Sequence, residues 1–146
     1  MNISSIASLI NQRFHREYPD PLWSDLHSAS YAQSNESDTL FVSVGESWTS
    51  YPGYSTLSKT PDRYWGLLLA TKQNWDWLNI AAPGFSNHWM LDNLEFAMPL
   101  LQETKYKNIH IMICLTEPGR ELLDYKVFPY DVFSRCNCNV HCPAWI

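Results

Sequence analysis

The stretch that decides the fold is an apolar run that breaks at a glycine and continues to a serine, Leu40-Phe41-Val42-Ser43-Val44-Gly45-Glu46-Ser47-Trp48-Thr49. Its first residues are rich in β-branched and aromatic side chains, which predicts a β-strand. The strand should end at Gly45, and Ser47 stands two residues beyond it. Ligands of open α/β sheets bind at the carboxyl ends of the strands. Ser47 is therefore a candidate nucleophile, and the question is what would activate it.

Strand and helix patterns alternate along the rest of the chain. Apolar residues at helical spacing predict a first helix over residues 3–17, and the polar segment 23–38 is expected to be a surface loop. Further helices are expected over residues 63–70 and 88–101, and further strands over 76–81 and 109–115. This order implies βαβ crossovers and a parallel sheet, so the predicted class is α/β.

Only three strands can be counted, which is few for a parallel sheet. The run 109–115 is almost continuously apolar, as expected of a strand buried on both faces, and Cys114 within it is expected to be a buried thiol. We divide the chain into an N-terminal helix and loop (1–38), an α/β core (39–125) and an irregular tail (126–146). The tail supplies no further strand and helix, so we expect the chain to be a truncated piece of a longer domain.

Composition narrows the class of protein. With 146 residues, 45% hydrophobic and 17% charged, the chain fits one globular domain. A net charge of -5 argues against a nucleic-acid partner. No signal peptide or membrane-spanning run is visible, so we expect a soluble, cytoplasmic protein without membrane contact. Seven Trp, eight Tyr and six Phe suit a packed core as well as a carbohydrate-facing cleft.

The predicted carboxyl ends of the three strands bring several polar groups to one cleft. Acyl transfer needs a nucleophile and hydrogen-bond donors for the oxyanion. Ser47 can serve as the nucleophile, and the backbone N–H of Gly84 as a donor, because glycine allows the backbone to approach a substrate closely. Asn87, or the N–H groups at the start of the helix after it, could add donors.

At these residues the chain resembles the SGNH/GDSL hydrolases. The family's first block is a strand followed by Gly-Asp-Ser, and Gly45-Glu46-Ser47 matches it with glutamate in place of aspartate. Its second block, Asn-x-Gly/Ala-x-x-Gly, is matched by the segment Asn79-Ile80-Ala81-Ala82-Pro83-Gly84. The resemblance covers about residues 39–121. It implies a three-layer α/β/α, flavodoxin-like fold with a small parallel sheet, and ester hydrolysis without a cofactor.

The later blocks of the family depart from its pattern. Its third block is Gly-x-Asn-Asp, where this chain reads Leu115-Thr116-Glu117-Pro118. A carboxylate only accepts hydrogen bonds, so Glu117 cannot replace the asparagine donor. Arg120 could donate instead, or could form an ion pair with a neighbouring glutamate. The family's final block is Asp-x-x-His, but His141 has Cys138 three residues before it.

Without a base the hydroxyl of Ser47 is a poor nucleophile. Ser47 could instead cap the helix after the strand, although the catalytic position is preferred because Gly84 and Asn87 accompany it. Of the other histidines, His88 is expected to face solvent and His110 to be a core or edge residue. His15 and His27 have no visible partner.

Three cysteines and a histidine, Cys136, Cys138, His141 and Cys142, crowd into the tail. Structural zinc sites usually hold pairs of ligands separated by a longer loop, so we expect no metal here.

The function expected from the sequence is an SGNH-type serine esterase, or a weakly active fragment of one. Its substrate would be a small-molecule or carbohydrate ester, such as an O-acetylated sugar. The alternative is a non-catalytic module that binds a glycan or a protein on the same scaffold. A third hypothesis is an enzyme whose catalytic base is supplied by another chain. The sequence does not determine the oligomeric state.

Overall fold

A computed structural model describes residues 1–17, 29–34, 36–45, 49, 65–81 and 86–115 of the chain. These residues form a small α/β fold with a mixed sheet of four strands. The elements in chain order are α1 (Ile3–Glu17), β1 (Ser30–Ala32), β2 (Thr39–Gly45), α2 (Trp65–Gln73), β3 (Asp76–Asn79), α3 (Asn87–Gln102) and β4 (Asn108–Cys114).

The strands lie in the spatial order β1-β3-β2-β4. β2 pairs in parallel with β3 on one side and with β4 on the other, which confirms the predicted crossovers. β1 pairs antiparallel to β3, so the prediction of a purely parallel sheet is wrong. The expectation of a loop throughout 23–38 is likewise wrong at β1, because a strand of three residues is too short to show periodicity.

Side chains of β2 alternate between the two faces of the sheet, as the pleat requires. Leu40, Val42 and Val44 are buried in the main core with α1 and α3. Phe41 points to the opposite face, where it packs with α2 and with Trp77 of β3. Helices therefore cover both faces of β2, and this central strand is buried throughout.

The first helix belongs to the same core as the sheet. The Asn2 side chain accepts a hydrogen bond from the Ser5 N–H at 2.8 Å and so caps the helix start. In the middle of the helix, Asn11 exchanges two hydrogen bonds with the backbone of Ala29, just before β1. Arg13 forms an ion pair with Asp92 of α3. These contacts fix α1 against both β1 and α3.

α2 approaches the sheet closely because Gly66 has no side chain. A Cβ at this position would lie 2.7 Å from Nε1 of Trp77, closer than any ordinary contact. The helix ends at Asn74, which has a φ of 56°. Asparagine tolerates this left-handed conformation, which lets the Trp75 N–H bond to the carbonyl of Ala70 at 2.9 Å.

β4 lies at one end of the described sheet and is not the doubly buried strand that its sequence predicts. None of its seven residues is buried. Met112 is 43% exposed and the following Leu115 is 64% exposed. Cys114 is a free thiol that is half-buried, not buried. The reason is positional, because within the described sheet β4 pairs with β2 alone, and α2 packs over β3 and β2.

Among the described helices, none combines the length and apolar character needed to cross a membrane.

Candidate functional site

The carboxyl ends of the three parallel strands meet at one edge of the sheet. The order of these strands places the first of them, β2, between the second and the third. Ser43 of β2 stands beside Asn79 of β3, and Gly45 stands beside Cys114 of β4. The carboxyl ends of the three parallel strands therefore lie next to one another.

A buried hydrogen-bond network joins β2 to β3 at this edge. The Ser43 hydroxyl donates to Oδ1 of Asn79 at 2.9 Å and accepts from Nε1 of Trp77 at 3.0 Å. The same Asn79 oxygen accepts the backbone N–H of Ala81 at 3.2 Å. The Ile80 N–H bonds to the Ser43 carbonyl at 2.9 Å. The network thus fixes the direction in which the backbone leaves β3 as far as Ala81.

Two buried polar atoms at this edge have no hydrogen-bond partner within the described part of the chain. They are the amide nitrogen of Asn79 and the hydroxyl oxygen of Thr49. Asn79 is only 1% exposed, so its amide is shielded from solvent. Since buried polar groups are normally hydrogen-bonded, these two atoms supply hydrogen-bonding capacity beside the predicted site.

Gly45 is required because Thr49 lies directly against it. A Cβ on Gly45 would lie 2.6 Å from the Cβ of Thr49 and still nearer to its hydroxyl oxygen. Any larger residue would push Thr49 away from the strand end. The glycine that ends the strand in the sequence therefore has a steric role.

After Ala81, the described residues resume at Ser86, at the start of α3. Ser86 is the N-cap, and its hydroxyl accepts the N–H of Trp89 at 3.2 Å. Asn87 is the first residue of the helix and is half-buried. His88 next to it is exposed, as expected from the sequence.

Of the predicted site residues, only Asn87 lies among the described residues. Ser47, Gly84, Glu117, Arg120 and His141 lie outside them, as do the three cysteines of the tail. What the structure brings together is the strand ends that precede the predicted loops: Gly45 lies in register with Cys114, and Ser43 with Asn79. In the described ranges, no group of three His, Cys, Asp or Glu side chains could hold a metal ion.

Sequence reasoning did not identify the roles of Ser43 and Trp77 in the network. The sequence does contain a signal for the role of Ser43, because this polar residue lies in the middle of an apolar strand. A buried hydroxyl in such a position needs hydrogen-bond partners. The partner of a hydroxyl on one strand cannot be read from the sequence, because it depends on which strand lies next to it.

A second buried cluster lies at the opposite edge, at the amino ends of the parallel strands. The Asp76 carboxylate, 1% exposed, accepts the Tyr106 hydroxyl at 2.5 Å and the Ser34 N–H at 2.6 Å. Burial, together with the adjoining Asp76 carboxylate, raises the pKa of Tyr106 well above its usual value. The cluster ties the chain before β4 to the segment after β1.

Comparisons with protein-family models, with curated proteins and with solved structures found no match to this chain. The features that bear on function are therefore the sequence blocks and the geometry of the strand ends.

Proposed function

We infer that the protein is an ester hydrolase of the SGNH/GDSL type, with Ser47 as nucleophile and a three-layer, flavodoxin-like α/β/α fold. The strand order supports the fold, because the parallel strands follow the 2-1-3 order of flavodoxin-like sheets. The helices support it too, since α2 packs on one face of the sheet while α1 and α3 pack on the other.

The observation that carries the proposal is the hydrogen bond between Ser43 and Asn79. Ser43 lies four residues before Ser47, and Asn79 lies five before Gly84. Joining the two side chains in a dry environment holds the two strand ends together. Both family blocks thus start from one rigid base, which is the support that a nucleophile and an oxyanion donor need.

In the proposed reaction, the Ser47 hydroxyl attacks the carbonyl carbon of an ester. The backbone N–H groups of Ser47 and Gly84 donate hydrogen bonds to the oxyanion of the tetrahedral intermediate. The alcohol leaves, and water then attacks the acyl-enzyme and frees the acid. Asn87 is the candidate for a further donor, and Arg120 for the donor that Glu117 cannot supply.

The test is hydrolysis of p-nitrophenyl acetate by the full chain. We expect slow turnover, because the Asp-x-x-His block is absent, and we expect Ser47→Ala to reduce it to the uncatalysed rate. Ser8→Ala is the matched control, since it removes an exposed serine hydroxyl from α1 and leaves the strand ends unchanged. A Ser47→Ala variant as fast as the parent would contradict the proposal. A slower His141→Ala variant would identify His141 as the base.

A second candidate is a non-catalytic binding module on the same scaffold. It is favoured by one observation, the glutamate at position 117 where the family has its asparagine donor. Labelling with a fluorophosphonate probe separates the two candidates. Modification of Ser47, located by peptide mass spectrometry, supports the esterase, whereas an unlabelled protein supports the binding module.

A further inference from the structure

We propose that a groove at the amino edge of the sheet, opposite the proposed esterase site, binds a neutral saccharide. This inference does not depend on the proposed function. The groove has a volume of about 680 Å³, within the range of small-ligand sites. It lies between residues 33, 34, 36 and 37, which follow β1, and the end of α2, where Thr71, Asn74 and Trp75 line it.

The described residues that follow β1 form one wall, and Ser34 in this wall is held from beneath at the amino end of β3. There the Asp76 carboxylate accepts the Ser34 N–H at 2.6 Å, and Tyr106 bonds to the same carboxylate. Burying a carboxylate is costly unless it is fully hydrogen-bonded. Here the hydrogen bond from the Ser34 N–H to this carboxylate fixes the backbone of one groove wall.

Trp75 forms part of the other wall, and its ring is held in place on the sheet. It stacks on His110 with ring centroids 4.6 Å apart and planes 21° from parallel. It also packs on Phe41 at 6.4 Å. The indole is therefore fixed before any ligand arrives, which lowers the entropic cost of binding.

The chemistry of the lining selects the ligand class. Neutral hydroxyl and amide side chains predominate among its described residues: Gln33, Ser34, Ser37, Thr71 and Asn74. Glu36 is the single ionisable group in that described lining, so a phosphate or carboxylate would find no cation. Pyranose rings combine apolar C–H faces with many hydroxyls. A tryptophan beside neutral donors and acceptors matches both features.

The proposal is tested by isothermal titration of the full chain with three uncharged probes: cellotetraose, maltotriose and tri-N-acetylchitotriose. We expect saturable binding of at least one, with a Kd of about 1 mM. Thr71→Trp places a bulky ring in the groove from an exposed helix position and should weaken that binding at least about tenfold. The matched control is Leu68→Trp, an exposed position on the same helix that does not line the groove.

Three results would overturn the proposal: no binding of any probe, binding that Thr71→Trp leaves unchanged, or tighter binding of choline than of every saccharide. The last would point to a cation held by Glu36 and Trp75. Circular dichroism of both variants checks that each has folded. Ser47→Ala should bind the saccharide as the parent does, so a failure of the esterase proposal leaves this test intact.

Discussion

Two neighbouring strands, β2 and β4, are both rich in apolar residues but have opposite environments. Both are seven-residue strands, paired in parallel over their whole length. All residues of β2 are buried and none of β4 is. The difference arises from neighbours, since β2 has a strand on each side and helices on both faces. An apolar run thus predicts a strand, while its burial depends on where the strand is placed.

The largest expected effect comes from shortening one apolar side chain in each strand. Leu40→Ala in β2 should lower the free energy of unfolding by about 2–5 kcal/mol, because it leaves a cavity at a site with 0% exposure. Met112→Ala in β4 removes a side chain of similar size that is 43% exposed, and should cost less than about 1 kcal/mol. Urea unfolding followed by tryptophan fluorescence measures both. Equal losses would show that β4 is covered in solution.

A second prediction concerns the chain just before β4, which is anchored although the strand is exposed. Tyr106→Phe removes a donor from the buried Asp76 carboxylate and should cost about 1.5–3 kcal/mol at neutral pH. The pKa of Tyr106 is raised in the folded state, so the unfolded chain loses this proton first as pH rises. The contribution of Tyr106 to stability is therefore complete below about pH 10 and declines above it.

Urea unfolding of the parent and of Tyr106→Phe between about pH 9 and pH 11 tests this prediction. The difference in stability between the two proteins should shrink as pH rises. A difference that stays constant would mean that the Tyr106 hydroxyl titrates alike in the folded and unfolded states.

The smallest effect is expected from two neighbours in register, Gly45 of β2 and Cys114 of β4. Gly45→Ala forces Thr49 to move and should cost about 1–3 kcal/mol. Cys114→Ala shortens a half-buried side chain on the edge strand and should cost less than about 1 kcal/mol. Urea midpoints of the two variants measure the contrast. A Gly45→Ala protein as stable as Cys114→Ala would show that Thr49 yields without cost.

Local patterns were sufficient for most of the elements. The helical spacing of Ile3, Ile6 and Ile10 predicts α1, and all three side chains are buried in the core. Predicted crossovers between β2, β3 and β4 agree with the parallel pairing. β1 was missed because its three residues carry no periodic signal, and its pairing partner β3 lies more than forty residues away.

In the candidate site, too, some features follow from residue type and others depend on tertiary contacts. The positions of its glycine and serine follow from residue type. Only a glycine at position 45 allows Thr49 to approach so closely. The hydrogen bonds that support the site do not follow from residue type. Ser43 and Asn79 are 36 positions apart, and only the register between β2 and β3 makes them partners.

The sequence by itself determined the α/β class, the helices and the core strands that the structure describes. These depend on periodicity and on residues with special backbone or cap preferences, which are local properties. Tertiary structure alone decided that β2 is central and β4 exposed, and that Asp76 and Tyr106 close a buried cluster. Those outcomes depend on contacts between residues distant in the chain, which no local pattern specifies.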